Sequence, residues 1–489
     1  MAKNLVFYAV VLVLFGTGIY FILSLGSKIH ADAARARPAS AATALPAGAG
    51  PEKAGASEAG IVRGLAENLK SPLSLLLLQI IVIVLAARIL GTVCLKIRQP
   101  PVVGEMIAGI LLGPSLLGLV APQAQGFLFP AASMGGLRIL SQIGVILFMF
   151  VVGIELDLAQ LRKKADALLL ISHSSIIVPL FLGLAAALLI YRPLAPAGAP
   201  FAAFALFIGV AMSITAFPVL ARILDDRKMT RSVLGSTSLA CAAVNDVTAW
   251  CLLAVVVAIA KADGMAGSLL TIGLTLAFIA AMLFGVKPWV ARIARELPEE
   301  QTGSVWFLAT IFTFVFAAAL FTELIGIHAL FGAFLAGVCM PPDLGLRKFL
   351  RERVETFSSV LLLPLFFAFT GLRTQVGLLN DGWSWMVCAG LILVAVSGKL
   401  GGTLVTARWT GMSWGDSFSL GALMNTRGLV ELIVLNLGYD LGILSPRVFT
   451  MMVIMALTTT FMTGPLLQLR HLVGNRETVM ATGGNSANA

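Results

Sequence analysis

From Ser71 to about residue 470 the chain is a near-unbroken succession of apolar stretches, most of them long enough to cross a bilayer as a helix. They fall at 72–96, 101–120, 138–156, 166–191, 201–223, 233–260, 266–286, 303–323, 326–341, 356–373, 383–407, 416–439 and 446–469. Hydrocarbon offers no water to backbone N–H and C=O groups, so each crossing must satisfy them internally, as a helix does. The sequence therefore predicts an all-α polytopic membrane protein of about thirteen transmembrane helices, with one extra N-terminal helix.

Composition agrees: 58% of residues are hydrophobic and only 12% charged, with a mean hydropathy of +0.96. Soluble domains carry about 25% charged residues. A net charge of +10 would suggest nucleic acid in a soluble protein. Here it reads as Lys and Arg held in cytoplasmic loops, so the expected partner is the lipid bilayer and no nucleic acid. Five scattered cysteines (Cys94, Cys241, Cys251, Cys339, Cys388) form no CxxC pair and read as packing residues.

The main body has a preface. Residues 1–25 contain an apolar helix that is either an anchor or a signal sequence; Ala31-Asp32-Ala33 would suit a signal peptidase. Its apolar length, greater than an ordinary signal core, favours a retained anchor. Residues 26–70 are rich in Ala, Pro and Gly and read as a disordered linker. The transmembrane domain follows at 71–470, and 471–489 reads as a short cytoplasmic tail.

Loop charges set the orientation. With the linker outside, the inward loops carry Lys96, Arg98, Arg162, Lys163, Lys164, Arg222, Arg227, Lys228, Arg231, Lys287, Arg292 and Arg295. They continue with Arg347, Lys348, Arg351, Arg353, Arg408, Arg470 and Arg476, against Arg138, Arg192, Lys261, Arg373 and Arg447 outside. The bias places the C-terminus in the cytoplasm, in a multi-pass protein of a bacterial inner membrane.

Few ionisable residues remain inside the stretches. Asp246 stands in the middle of 233–260, beside Asn245, at a depth near the bilayer midplane. A charge there costs roughly 2.5–3.5 kcal/mol on insertion scales, so it reads as functional. Lys399 lies in Val-Ser-Gly-Lys-Leu-Gly-Gly-Thr, too deep to snorkel easily. Arg427 and Glu431 lie one turn apart in 416–439 and can satisfy each other. Lys399, Arg427 and Glu431 are thus charge-compensating candidates, and a permanent ion pair of Asp246 with Lys399 or Arg427 is the structural alternative. Glu105, Glu155, Asp157 and His328 sit near span ends; Glu155 and Asp157 read as a solvated helix end and His328 as a packed or hydrogen-bonded histidine.

Two stretches carry helix-disrupting text. Ser213-Ile-Thr-Ala-Phe-Pro218 interrupts 201–223, where proline removes a donor and disfavours helix at Phe217. Asn425-Thr-Arg-Gly428 interrupts 416–439. Broken helices in corresponding positions of two halves point to a midplane ion site built with freed carbonyls.

These residues carry a resemblance. Residues 99–118 (Gln-Pro-Pro-Val-Val-Gly-Glu-Met-Ile-Ala-Gly-Ile-Leu-Leu-Gly-Pro-Ser-Leu-Leu-Gly), 148–157, 213–224, 243–250, 326–337 and 424–432 together resemble the monovalent cation:proton antiporter-2 family. The last three are most similar to the plant cation/H+ exchanger branch and its bacterial relatives. The resemblance spans about Pro72 to Arg470. It implies inverted repeats with two discontinuous crossing helices, a dimerisation domain and a moving core. It further implies that Asp246 carries both proton and cation, with Asn245, Thr215 and Ser213 around it. Lys399 would match a basic residue near the crossing.

The expected function is antiport of K+ or Na+ against H+ by a homodimer, with no cofactor and no enzymatic chemistry. Electrogenic sodium antiporters of this fold hold two adjacent aspartates where this chain has Asn245-Asp246, so 1:1 electroneutral exchange is expected. The plant-like text leans towards K+. An anion or organic-acid symporter using Arg427, or a non-transporting sensor subunit, are the alternatives. An intramembrane hydrolase is disfavoured, because neither paired GxGD aspartates nor an HExxH helix occurs.

Overall fold

The computed structural model describes residues 2–35, 68, 71–97, 99–155, 165–230, 232–261, 265–296, 304–341 and 344–483. Asp157, Arg98, Arg162, Lys163, Lys164 and Arg231, with linker residues 36–67, lie outside the described residues.

Every regular element among the described residues is helical. Those that frame the site are α1 (Ala2–Arg35), α2 (Pro72–Lys96), α3 (Pro101–Leu112), α4 (Met134–Glu155), α5 (Ala165–Leu194), α6 (Phe201–Ser213), α7 (Phe217–Asp226) and α8 (Val233–Lys261). They continue with α9 (Met265–Ala280), α10 (Val305–Ile325), α11 (Ala329–Val338), α12 (Leu344–Phe357), α13 (Leu363–Arg373) and α14 (Gly382–Val396). The series ends with α15 (Gly402–Trp409), α16 (Trp414–Met424), α17 (Leu429–Asp440) and α18 (Pro446–Gly483). Among the described residues eleven helices, one near the N-terminus, are long and apolar enough to cross a membrane, or twelve with the bent pair α16–α17. Each expected stretch holds such a helix except two, whose helices Phe201–Ser213 and Ala329–Val338 are shorter. The expected count of thirteen is not reached for that reason. Helix α1 runs on to Arg35, past the expected boundary at Leu25, and α18 reaches Gly483, into the expected tail.

The helices sort into two groups. In one, α5 packs on α6, α8, α14 and α15, while α18 packs on α14, α16 and α17. In the other, α3 lies between α2 and α13, and α4 holds α11, α12 and α13. In hydrocarbon there is little apolar driving force between helices, so close approach of small residues does much of the holding. A Cβ on Gly337 of α11 would meet the Cα of Gly153 of α4 at 2.8 Å. In the first group a Cβ on Gly183 of α5 would meet the Cα of Gly209 of α6 at the same distance.

The expected interruptions are breaks. Helix α6 ends at Ser213 and α7 begins at Phe217, leaving 214–216 unwound. Pro218 is the second residue of α7, in the first turn where a missing amide is harmless. Helices α16 and α17 are separated by 425–428 and bent by 43°.

Candidate functional site

The unwound segments cross. The amide of Ala216 donates to the Thr426 carbonyl at 3.0 Å, and the Thr215 hydroxyl donates to the Met424 carbonyl at 2.9 Å. Backbone groups that helix breakage set free therefore satisfy one another across the crossing, which membrane depth demands. The last helix closes its far side: the Arg427 amide donates to Thr460 Oγ1 at 3.1 Å, and that hydroxyl donates to the Arg427 carbonyl at 2.8 Å.

A helix that stops in the membrane leaves C-terminal carbonyls and a partial negative charge. At the end of α6 two cations meet them. Arg427 donates from Nη1 to the Ala211 carbonyl at 2.9 Å and from Nη2 to the Met212 carbonyl at 2.7 Å. Lys399 Nζ donates to the Ser213 carbonyl and, at 3.0 Å, to that of Ser175 on α5. Ser175 precedes Pro179 by four residues, and proline has no amide to fill that carbonyl in the helix. Lys399 itself lies in a widened π-helical turn, Ser397–Gly401, between α14 and α15. Arg427 also pairs with Glu431 Oε1 at 3.4 Å, both side chains fully buried.

The opposite end of the break carries the opposite charge. The amide of Phe217, first residue of α7, acts on the Asp246 carboxylate, as a helix N-terminus favours an anion. Asp246 is 3% exposed, yet neither carboxylate oxygen has a hydrogen-bond partner of good geometry. Lys399 is near enough for its charge to act on the carboxylate, but its hydrogen bonds go to carbonyls, and no ion pair links the two. Neighbouring Asn245 accepts from the Thr215 amide at 3.2 Å and donates to Ser175 Oγ at 2.9 Å. Ser213 turns its hydroxyl to the Gly209 and Ile176 carbonyls, so it holds the end of α6. Asn425 is buried with both carboxamide atoms unpartnered.

All seven candidate residues, Asp246, Asn245, Thr215, Ser213, Lys399, Arg427 and Glu431, are thus brought around one crossing. Sequence reasoning missed Ser175, the Phe217 amide and Thr460 as members, and has Asn425 only as part of the second break. Of the peripheral residues, Glu105 is buried on α3, His328 caps α11 by accepting from the Leu330 amide, and Glu155 ends α4.

The model of the family described as sodium/hydrogen exchanger, transmembrane, matches residues 80–469. The chain belongs to this family. An exchanger relative, the Na+/H+ antiporter NhaS4 of Synechocystis, is 44% identical over 81% of this chain and 97% of its own. Cation/H+ antiporter 17 of Arabidopsis thaliana is 41% identical over 86% of this chain and 50% of its own length. K+/H+ antiporter 1 of Saccharomyces cerevisiae is 34% identical over 82% of this chain and 47% of its own. The chain therefore spans nearly the whole cyanobacterial exchanger and about half of the plant and yeast ones. Among solved structures, the fold is similar to the sodium proton antiporter MjNhaP1 of Methanocaldococcus jannaschii. That match has a TM-score of 0.57 at 14% identity, over 81% of this chain and 96% of the other.

Proposed function

We propose that this protein is a secondary antiporter exchanging H+ for a monovalent cation across the membrane by alternating access. The observation that carries the reading is Asp246: a buried carboxylate at a helix crossing with neither oxygen in a hydrogen bond of good geometry. Leaving such a group unfilled is costly. A proton or a small cation is the ligand that a single carboxylate takes, one at a time. Mutual exclusion at that group couples the two fluxes.

The surroundings suit a cation stripped of water. Thr215 gives its hydrogen to Met424, which leaves its oxygen lone pairs free. Oxygen donors replace a hydration shell for Na+ or K+. Asn245 holds the unwound segment through the Thr215 amide and cannot titrate, and Lys399 spends two of its three ammonium hydrogens on carbonyls. With Asp246 as the exchanging group and Glu431 kept paired to Arg427, the exchange is electroneutral, one H+ for one cation. The plant-like text at 424–432 favours K+ as the cation, with Na+ the other candidate.

In this reading the chain is a homodimer in a bacterial inner membrane with its C-terminus in the cytoplasm. It needs no cofactor and is not an enzyme. The test is purified protein in liposomes carrying a pH dye, challenged separately with Na+, K+, Li+ and organic anions. A response to cations alone supports antiport, whereas a response to organic anions overturns it.

A further inference from the structure

At the end of the molecule carrying Arg138, Arg373 and the C-terminus of α17, the two helix groups are joined by charge. Asp440, the last residue of α17, receives Arg373 Nη2 of α13 at 2.5 Å and Arg138 Nη2 of α4 at 3.2 Å. A carboxylate at a helix C-terminus opposes the dipole, so its place needs cations from outside its own helix. One turn earlier Asn436 accepts from Arg373 Nη1 at 3.0 Å and donates to Thr370 Oγ1 at 2.8 Å. The Arg373 guanidinium also lies over Phe369 of its own helix and Tyr439 of α17, at 4.5 and 5.0 Å.

Arg138, Arg373 and Thr370 belong to the group built on α3 and α4, while Asn436, Tyr439 and Asp440 belong to the group holding the crossing. Helix α17 begins right after the unwound residues 425–428, so it ties this cluster to the Arg427–Glu431 pair through one short rigid element. A second contact spans the groups: Trp250, one turn beyond Asp246 on α8, packs its ring against Phe331 and Phe334 of α11 at 5.3 and 6.4 Å.

We propose that Arg138, Arg373 and Asp440 form a latch that holds this end of the molecule shut and opens once in every transport cycle. The inference rests on the antiport reading, because alternating access requires the group around Asp246 to move against the other. The cluster joins the two moving parts by polar contacts that can be remade. The same contacts within one rigid body would have no such consequence.

Two measurements test it. In a chain with Cys251→Ala, which removes the exposed native thiol, Thr370→Cys and Asn436→Cys place a thiol on each side of the interface. The unbridged double variant should exchange, and a short bifunctional thiol cross-linker joining the pair should arrest it, with recovery on reduction. Exchange at an undiminished rate in fully bridged protein overturns the latch while leaving antiport intact. Absence of exchange in the unsubstituted protein overturns the antiport reading instead. Separately, Thr450 of α18 is buried, its hydroxyl accepting at 3.1 Å from the amide of Gln375, two residues past Arg373. A Thr450→Cys reporter should react with a water-soluble thiol reagent several-fold faster when Asp440→Asn is added. Equal labelling with and without Asp440→Asn also overturns the latch.

Discussion

Lys399 donates to the carbonyl of Ser175, the one carbonyl of α5 that Pro179 leaves without its helical partner at this depth. The same ammonium donates to the Ser213 carbonyl at the end of α6. One lysine thus compensates a proline gap in one helix and the C-terminus of another. Lys399→Met should leave both carbonyls unpaired in a dry interior and lower stability by about 1–3 kcal/mol per orphaned group. Thermal unfolding in detergent measures that. A transport assay with an electrical readout should show that whatever exchange survives is still electroneutral.

Asp246→Asn preserves the side-chain shape and removes the carboxylate. Folded protein should be recovered at wild-type yield with no cation-driven pH change in liposomes. Exchange at an undiminished rate would remove Asp246 from its role.

Arg427 is buried with four committed contacts: two carbonyls of α6, the Glu431 carboxylate and, through its backbone, Thr460. Arg427→Met leaves Glu431 as an uncompensated buried charge, and removing one partner of such a pair costs about 3–5 kcal/mol. Arg427→Met with Glu431→Gln should cost less than the sum of the single changes. A double-mutant cycle on thermal unfolding reads the coupling directly.

Asn245 bonds the Thr215 amide and Ser175 Oγ, so it fixes the unwound segment beside Asp246. Asn245→Ala should orphan that buried amide and cost about 1–3 kcal/mol. If Asn245 positions the segment without titrating, its loss should raise the half-saturating cation concentration and leave the stoichiometry at one for one. Dye-based exchange over a cation series, with and without a voltage clamp by ionophore, checks both.

How much of this was legible follows from where each signal sits. Asp246, Lys399 and Arg427 stand out because a charge in apolar text is rare, and Pro218 and Gly428 because they punctuate helices. Ser175 carried no such mark: serine is unremarkable in a membrane helix, and its tie to Lys399 spans 224 positions. Asn425 falls in the expected break, and only its buried, unpartnered carboxamide singles it out. Arg373 and Asp440 lie at helix ends, where charge is expected in loops, so their pairing across two helix groups has no sequence signature. The short helices 201–213 and 329–338 are apolar throughout, which made their stretches read as full crossings.

The N-terminal helix gives a last prediction with an internal control. Helix α1 lies against α5 and α6, the helices that hold Ser175 and Ser213, with Phe7 stacked on Trp409 at 4.5 Å and Phe15 edge-on to Phe181 at 5.2 Å. Gly18 and Gly26 let it approach: a Cβ on either would overlap the ring of Phe181 or Phe201 respectively. Gly16, less than one turn from Gly18, has nothing within 4 Å of such a Cβ. Gly18→Leu and Gly26→Leu should therefore push α1 off its seat and lower the unfolding temperature, by an overpacking cost of about 1–3 kcal/mol each. Gly16→Leu should be neutral or slightly stabilising, since leucine is the better helix former by roughly 1 kcal/mol. Equal unfolding temperatures for all three variants would mean that α1 does not rest on α5 and α6 in the membrane.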